Sequence, residues 1–195
     1  MSALFGEIVN PDRLGRLGLE KLLDGATAAL NRAEDKESLF GGMGAGKAIQ
    51  HFYEPFLADF DPDLRKKLGV WYTPPEIVRY MVERTDRVLR EELNITDGLA
   101  NDRVHVLDPC GGTGAYVAET LRRIYRTCQE RGDGELAAQT VKDAASKRIF
   151  GFEILSASYV VAHWQIGALL AEIGAPLKKN ERAAVYFNQF ADRLE

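Results

Sequence analysis

Residues 104–114, Val104-His105-Val106-Leu107-Asp108-Pro109-Cys110-Gly111-Gly112-Thr113-Gly114, constrain this chain more than any other stretch. Val104 and Val106 alternate and Leu107 extends the apolar run, which predicts a buried strand. Gly111, Gly112 and Gly114 permit positive φ and let a ligand approach the backbone closely. From Ala115 to Arg131, residues Val117, Leu121, Ile124, Tyr125 and Cys128 recur at helical spacing, with Arg122, Arg123 and Arg126 off that stripe. The pattern is strand, acidic glycine-rich turn, helix, and it predicts an α/β fold.

Such a turn presents backbone N–H groups at a helix start. A phosphate there would be repelled by Asp108, because like charges in a partly desolvated site interact strongly. Asp108 therefore favours a ligand carrying a cationic group. A tight strand-to-helix turn with no ligand is the plain structural alternative.

Composition bounds the partners. A hydrophobic content of 46% and a charged content of 28% describe a soluble globular chain with enough apolar material for a core. The net charge of −4 does not suit a stand-alone nucleic-acid binder, so any basic surface must be local or lie on another segment. No apolar run reaches the roughly 18 residues of a membrane span, and no basic start followed by an apolar block marks a leader. Cys110 and Cys128 lack metal-ligand spacing and suit a reducing cytoplasm. The expectation is a cytoplasmic protein with no membrane contact and no metal.

The N-terminal part reads as helical. Asn10-Pro11-Asp12 marks a helix start, and Leu14, Leu17, Leu22, Ala26 and Leu30 keep helical spacing across residues 10–33. Gly41-Gly42-Met43-Gly44-Ala45-Gly46-Lys47 superficially suggests a nucleotide loop, but Ala48 stands where a magnesium-binding hydroxyl is needed and no strand precedes it. It reads as a linker. Ile49, Phe52, Tyr53, Phe56 and Leu57 resume helical spacing, with Pro55 demanding a kink. His51 and Glu54 form no metal pair without further ligands.

Gly69-Val70-Trp71-Tyr72-Thr73-Pro74-Pro75-Glu76 follows. Thr73 and Glu76 have the spacing of a capping box, Pro74 suits the first helical position, and Ile77, Val78, Met81, Thr85, Val88 and Leu89 form one face. Free N–H groups at that helix start would suit a carboxylate. Residues 94–103 read as loop, and a further helix passes through Leu136, Val141 and Ala144. A second strand over residues 148–153 ends in Glu153, an acid placed to accept hydrogen bonds from ribose hydroxyls. Dinucleotide sites place that acid about 20 residues after the glycines; here it comes later, and Asp108 further disfavours a dinucleotide. A solvated strand-end glutamate is the alternative. Residues 156–173 form an apolar helix stopping at Gly174, with His163 and Trp164 as core or groove residues, and a third strand covers 184–188.

His51-Phe52-Tyr53-Glu54, Asp61-Pro62, Gly69 to Pro74, Leu107 to Tyr116 and Phe150-Gly151-Phe152-Glu153-Ile154 together resemble the methyltransferase portion of large single-chain restriction-modification enzymes, type ISP-like and related to type I and IIG systems. The resemblance spans roughly residues 48–190. It implies adenine-N6 DNA methylation with S-adenosylmethionine as cofactor. It also implies a Rossmann-like sheet with strands ordered 3-2-1, and two segments: an N-terminal helical one (1–66) and the N-terminal half of the cofactor-binding domain (67–195). By resemblance, motif X gives Tyr72, Thr73 and Pro74, motif I gives Asp108, Pro109, Gly111, Gly112, Thr113 and Gly114, motif II gives Glu153 and Ile154, and motif III gives Asn188. Gly111 departs from the usual cysteine or alanine.

Motif IV, Asn/Asp-Pro-Pro-aromatic, which holds the flipped adenine, is missing: the only Pro-Pro is Pro74-Pro75. No catalytic residue is therefore assigned. The chain reads as a fragment of a longer polypeptide, inactive alone, that meets DNA through the remainder. Strand one would lack a neighbour, so self-association through that edge, or N-terminal helices folding across it, is expected. A methyltransferase-like assembly module without activity, or an enzyme acting on RNA or a small molecule, are the competing readings.

Overall fold

The computed structural model describes residues 73–134 and 136–187. The helices expected in 10–33 and 48–60, the glycine-rich linker, the boundary at 66/67, Tyr72 and Asn188 lie outside the described residues.

The first helix, α1 (Pro75–Glu91), begins one residue later than the sequence suggests. Pro74 is its N-cap, at φ −51° and ψ 139°, and makes no side-chain capping bond. The reason is local: a residue preceding proline is excluded from helical ψ, so Pro75 forces Pro74 out of the helix and takes the first position itself. Thr73 is thereby displaced from the cap, and the expected Thr73–Glu76 capping box does not form. The buried face is also rotated from expectation. Val78, Val82 and Asp86 point inward, whereas Ile77 and Met81 are about half exposed and Thr85 is exposed. A buried aspartate lets this happen, because it is paired.

A short 3-10 turn (Gly98–Ala100) leads to β1 (Val106–Asp108). Two helices, α2 (Ala115–Glu130) and α3 (Leu136–Lys147), occupy the crossover to β2 (Ile149–Glu153). One helix, α4 (Ser156–Glu172), carries the chain on to β3 (Val185–Phe187) and stops at Gly174, φ +87°. The sheet is parallel with order β1-β2-β3, as expected, pairing Asp108 with Gly151 and Glu153 with Phe187. Parallel neighbours need such helical crossovers, and consecutive strands laid side by side place the carboxyl ends of β1 and β2 next to each other.

One core unites these elements: Val82, Leu99, Val117, Leu121, Ile124, Cys128, Val141, Ile149, Ile166, Leu170 and Val185. The helix expected through Leu136, Val141 and Ala144 forms, with Leu136 exposed and Ala137, Val141, Ala144 and Ala145 buried. Small residues there allow α3 to lie close. The buried strand expected from Val104 is shorter and not buried: β1 starts only at Val106, and among the described residues it is an edge strand, with Leu107 60% exposed because no neighbour covers it there. No described helix is long and apolar enough to cross a membrane.

Candidate cofactor site

The carboxyl end of β1 and the start of α2 are joined by residues 109–114. Gly112 and Gly114 take positive φ, +54° and +86°, whereas Gly111 does not. Their demands differ. A Cβ on Gly114 would come within 3.0 Å of the Ala162 Cβ, so this glycine allows α2 to approach α4 closely. A Cβ on Gly112 would meet nothing within 4 Å, which leaves its backbone open to an approaching group. Gly111 donates its N–H to the Phe152 carbonyl at 2.7 Å, which seats the turn on the end of β2. Thr113 is half-buried, and Pro109 and Cys110 are exposed.

Asp108 ends β1 and turns its carboxylate into this region. Its Oδ1 accepts the Cys110 N–H at 3.2 Å, while Oδ2 is buried and has no hydrogen-bond partner among the described residues. Burial pushes the Asp108 carboxyl above its ordinary value; the Cys110 N–H pulls the other way, and the charge of Glu153 raises it again. The two acids thus feel each other across the ends of adjacent strands.

Glu153 is itself buried. Its Oε1 accepts the N–H groups of Ile154 (2.8 Å) and Leu155 (2.7 Å), which holds the carboxylate at the strand end and closes the turn into α4. It is not the solvated strand-end glutamate of the alternative reading. Ile154 presents an apolar side chain beside it, 44% exposed.

A cleft of about 240 Å³ lies beside Asp108, lined by Met81, Val82, Thr85, Leu99, Val106, Leu107, Asp108, Pro109, Tyr116 and Thr120. It is largely apolar, with Asp108 the charged residue in its lining. Thr73 and Pro74 precede α1, but the expected row of free N–H donors is thin. Pro74 and Pro75 carry none, and Ile77 and Val78 both donate to the Pro74 carbonyl. Glu76 alone in that first turn keeps a main-chain N–H without a partner among the described residues.

The sequence matches the model of the N-6 DNA Methylase family over residues 45–179. The chain belongs to the N-6 DNA methylase family. Membership of this family implies a methyl-donor cofactor and agrees with the parallel sheet and glycine turn just described. Two similar solved structures are type ISP restriction-modification enzymes. A nuclease-deletion mutant of LlaGI in complex with a DNA substrate mimic is 27% identical, with a TM-score of 0.51, covering 60% of this chain and 9% of that one. ATP-dependent LlaBIII bound to DNA is 26% identical, with a TM-score of 0.58, covering 73% and 9%. A DrdV–DNA complex shares the fold, with a TM-score of 0.62 at 23% identity, covering 91% and 15%. This N-6 DNA methylase chain therefore spans a small fraction of the length of those proteins. Comparison with curated proteins finds no match.

Two further groups escaped sequence reasoning. The buried Asp86 pairs with the part-buried Arg90 and Arg123 in an ion cluster between α1 and α2. Arg148 reaches back to the carbonyls of Leu99, Ala100 and Val104. The i,i+4 spacing of Asp86 and Arg90 was visible, but Arg123 and Leu99 are long-range partners that no local pattern announces. His163 is buried, hydrogen-bonded through Nε2 to the Val185 carbonyl and packed edge-on to Tyr159, which suits the core role expected for it. Trp164 lies 39% exposed. Among the described residues no cluster of metal-ligating side chains occurs.

Proposed function

We propose that this chain binds S-adenosylmethionine and forms the donor-binding part of a DNA adenine-N6 methyltransferase of a restriction-modification system. The observation that carries this reading is the buried Oδ2 of Asp108, which has no hydrogen-bond partner among the described residues. A buried carboxylate oxygen without a donor is costly, and a ligand bearing a cationic donor relieves that cost. In this reading Asp108 receives the charged amino-acid end of the donor, and the open backbone of Gly112 and Thr113 lies against it. Glu153, with Oε1 fixed by two N–H groups, offers its other oxygen to ribose hydroxyls. Ile154 packs on the base, and Pro109, Gly111 and Gly114 shape the turn. Thr73 and Pro74 border the amino-acid end, with Tyr72 and Asn188 assigned by resemblance alone. The donor supplies a methyl group activated by positively charged sulfur.

With no Asn/Asp-Pro-Pro-aromatic stretch in its sequence to hold a flipped adenine, the 195-residue chain binds the donor without transferring its methyl group. DNA is then met through the remainder of a longer protein. The edge of β1 that is unpaired among the described residues is covered either by a second copy of the isolated chain or by its own N-terminal helices, which sedimentation separates: a monodisperse monomer argues against pairing of copies. Calorimetric titration with S-adenosylmethionine tests the central reading. Binding by the wild type, lost in Asp108→Ala and Glu153→Ala, is the expected result; a folded wild type that takes up no heat overturns it.

A further inference from the structure

The cleft between α1, β1 and α2 suits apolar side chains. Met81 and Val82 of α1, Leu99, Val106 and Leu107 of β1 and its approach, and Tyr116 of α2 make most of its lining. At about 240 Å³ it falls below the roughly 300–1,000 Å³ of small-molecule pockets. Its apolar lining continues onto the surface, where Leu107, Met81 and Ile77 are exposed, and no described strand pairs with the outer edge of β1. An apolar strip beside an unpaired strand edge marks a place where another segment packs.

The sequence that leads into α1 carries a matching face. Ile49, Phe52, Tyr53 and Phe56 stand at i, i+3, i+4 and i+7, the anchor spacing of an amphipathic helix laid into a hydrophobic groove. Pro55 kinks that run without altering the spacing. The family match begins at residue 45, so this stretch and the cleft fall within one matched region, whereas the apolar stripe of residues 10–33 lies outside it. The connection is long enough. Met81 stands about 9 Å along α1 from Pro75, and the roughly fifteen residues 58–72 span up to about 50 Å. A segment tethered in this way meets the cleft at an effective concentration on the order of millimolar. A second copy of the chain, free in micromolar solution, competes poorly with it.

We propose that residues 48–57 cover this cleft within the same chain, with Phe52 and Phe56 seated on the strip formed by Ile77, Met81 and Leu107. Each ring brings roughly 150–250 Å² of surface to be buried. The cover involves no methyl donor, so it stands apart from the donor-binding reading.

The test is thiol labelling of the full chain carrying Met81→Cys. Mass spectrometry of the tryptic peptide 80–84 keeps its signal apart from Cys110 and Cys128. Cys-directed labelling by N-ethylmaleimide at position 81 is expected to run about tenfold or more faster when Phe52→Ser and Phe56→Ser are added, because the two rings set the local opening equilibrium. The rate in each background is expected to be independent of protein concentration. Equal rates in the two backgrounds overturn the proposal. So does protection that grows with protein concentration, which assigns the cleft to a second copy. Circular dichroism checks the helix content of each variant. Where the double serine variant loses it, a short bismaleimide applied to the chain carrying Gln50→Cys and Met81→Cys decides instead. A link between peptides 48–65 and 80–84 in monomeric protein supports the proposal; no such link, or one confined to the dimer fraction, overturns it.

Discussion

Gly111 donates its N–H to the carbonyl oxygen of Phe152 at 2.7 Å, so the glycine turn after β1 is tied to the residue that precedes Glu153 in β2. That bond brings the two candidate acids into one site. The parallel register sets Asp108 opposite Gly151, two residues before Glu153, and the turn then folds across the end of β2. Asp108 and Glu153 therefore share an electrostatic environment although a long helical crossover separates them in sequence.

Asp108 should trade stability for binding. Its folded-state pKa is raised above the ordinary 3.8, chiefly by burial. A raised acid favours the folded state at low pH, and that contribution is lost as pH climbs through the folded-state value. Asp108→Asn keeps an acceptor for the Cys110 N–H and removes the charge. Urea unfolding without cofactor should show the variant more stable than wild type at neutral pH, with the advantage shrinking under acid conditions. Its affinity for S-adenosylmethionine should nevertheless fall by about 2 kcal/mol or more. A variant less stable at neutral pH would contradict the assignment of an unrelieved charge.

Glu153 separates its two roles by substitution. Glu153→Gln retains an oxygen for the Ile154 and Leu155 N–H groups, so stability should stay within about 1 kcal/mol of wild type while nucleoside affinity drops by about tenfold. Glu153→Ala loses both bonds at the start of α4 and should cost about 2 kcal/mol in addition. Denaturation midpoints alongside calorimetry resolve the two effects.

Gly114→Ala is expected to be costly in the absence of any ligand. Alanine must adopt φ +86° and place its Cβ about 3 Å from that of Ala162. Strain and crowding between α2 and α4 together should cost about 2 kcal/mol or more, read from the shift in urea midpoint. Gly112→Ala shares the strained φ but meets no neighbour, so it should be the milder of the two.

Arg148 is a structural clasp. Buried, it donates from Nη1 to Leu99 O at 2.9 Å and Val104 O at 3.1 Å, and from Nη2 to Ala100 O at 3.4 Å. Arg148→Met strands those carbonyls and should cost about 3 kcal/mol. Amide exchange should quicken over residues 98–106 in this variant. Arg148→Lys, with a point charge in place of the fork, should recover only part of the loss.

The amino-acid sequence determined by itself most of the fold and the candidate acids. Glycines at 112 and 114, the stripe from Val117 to Cys128 and the stop at Gly174 are local signals, and short-range sterics and hydrogen bonding enforce them wherever they occur; the apolar run at 104–107 announced a strand but neither its start at Val106 nor the exposure of Leu107. Local logic failed at the start of α1, where two consecutive prolines outvoted the Thr73–Glu76 spacing, and on its face, where Asp86 replaced Thr85 inside. Only the tertiary structure decided which charges are buried. Whether Asp86 meets Arg123, whether Arg148 reaches the carbonyls of Leu99, Ala100 and Val104, and whether Asp108 keeps an oxygen without a donor all depend on elements distant in sequence becoming neighbours. The free energy of a charge depends on its partners and on the water excluded around it, and neither is encoded within a few residues of the charge itself.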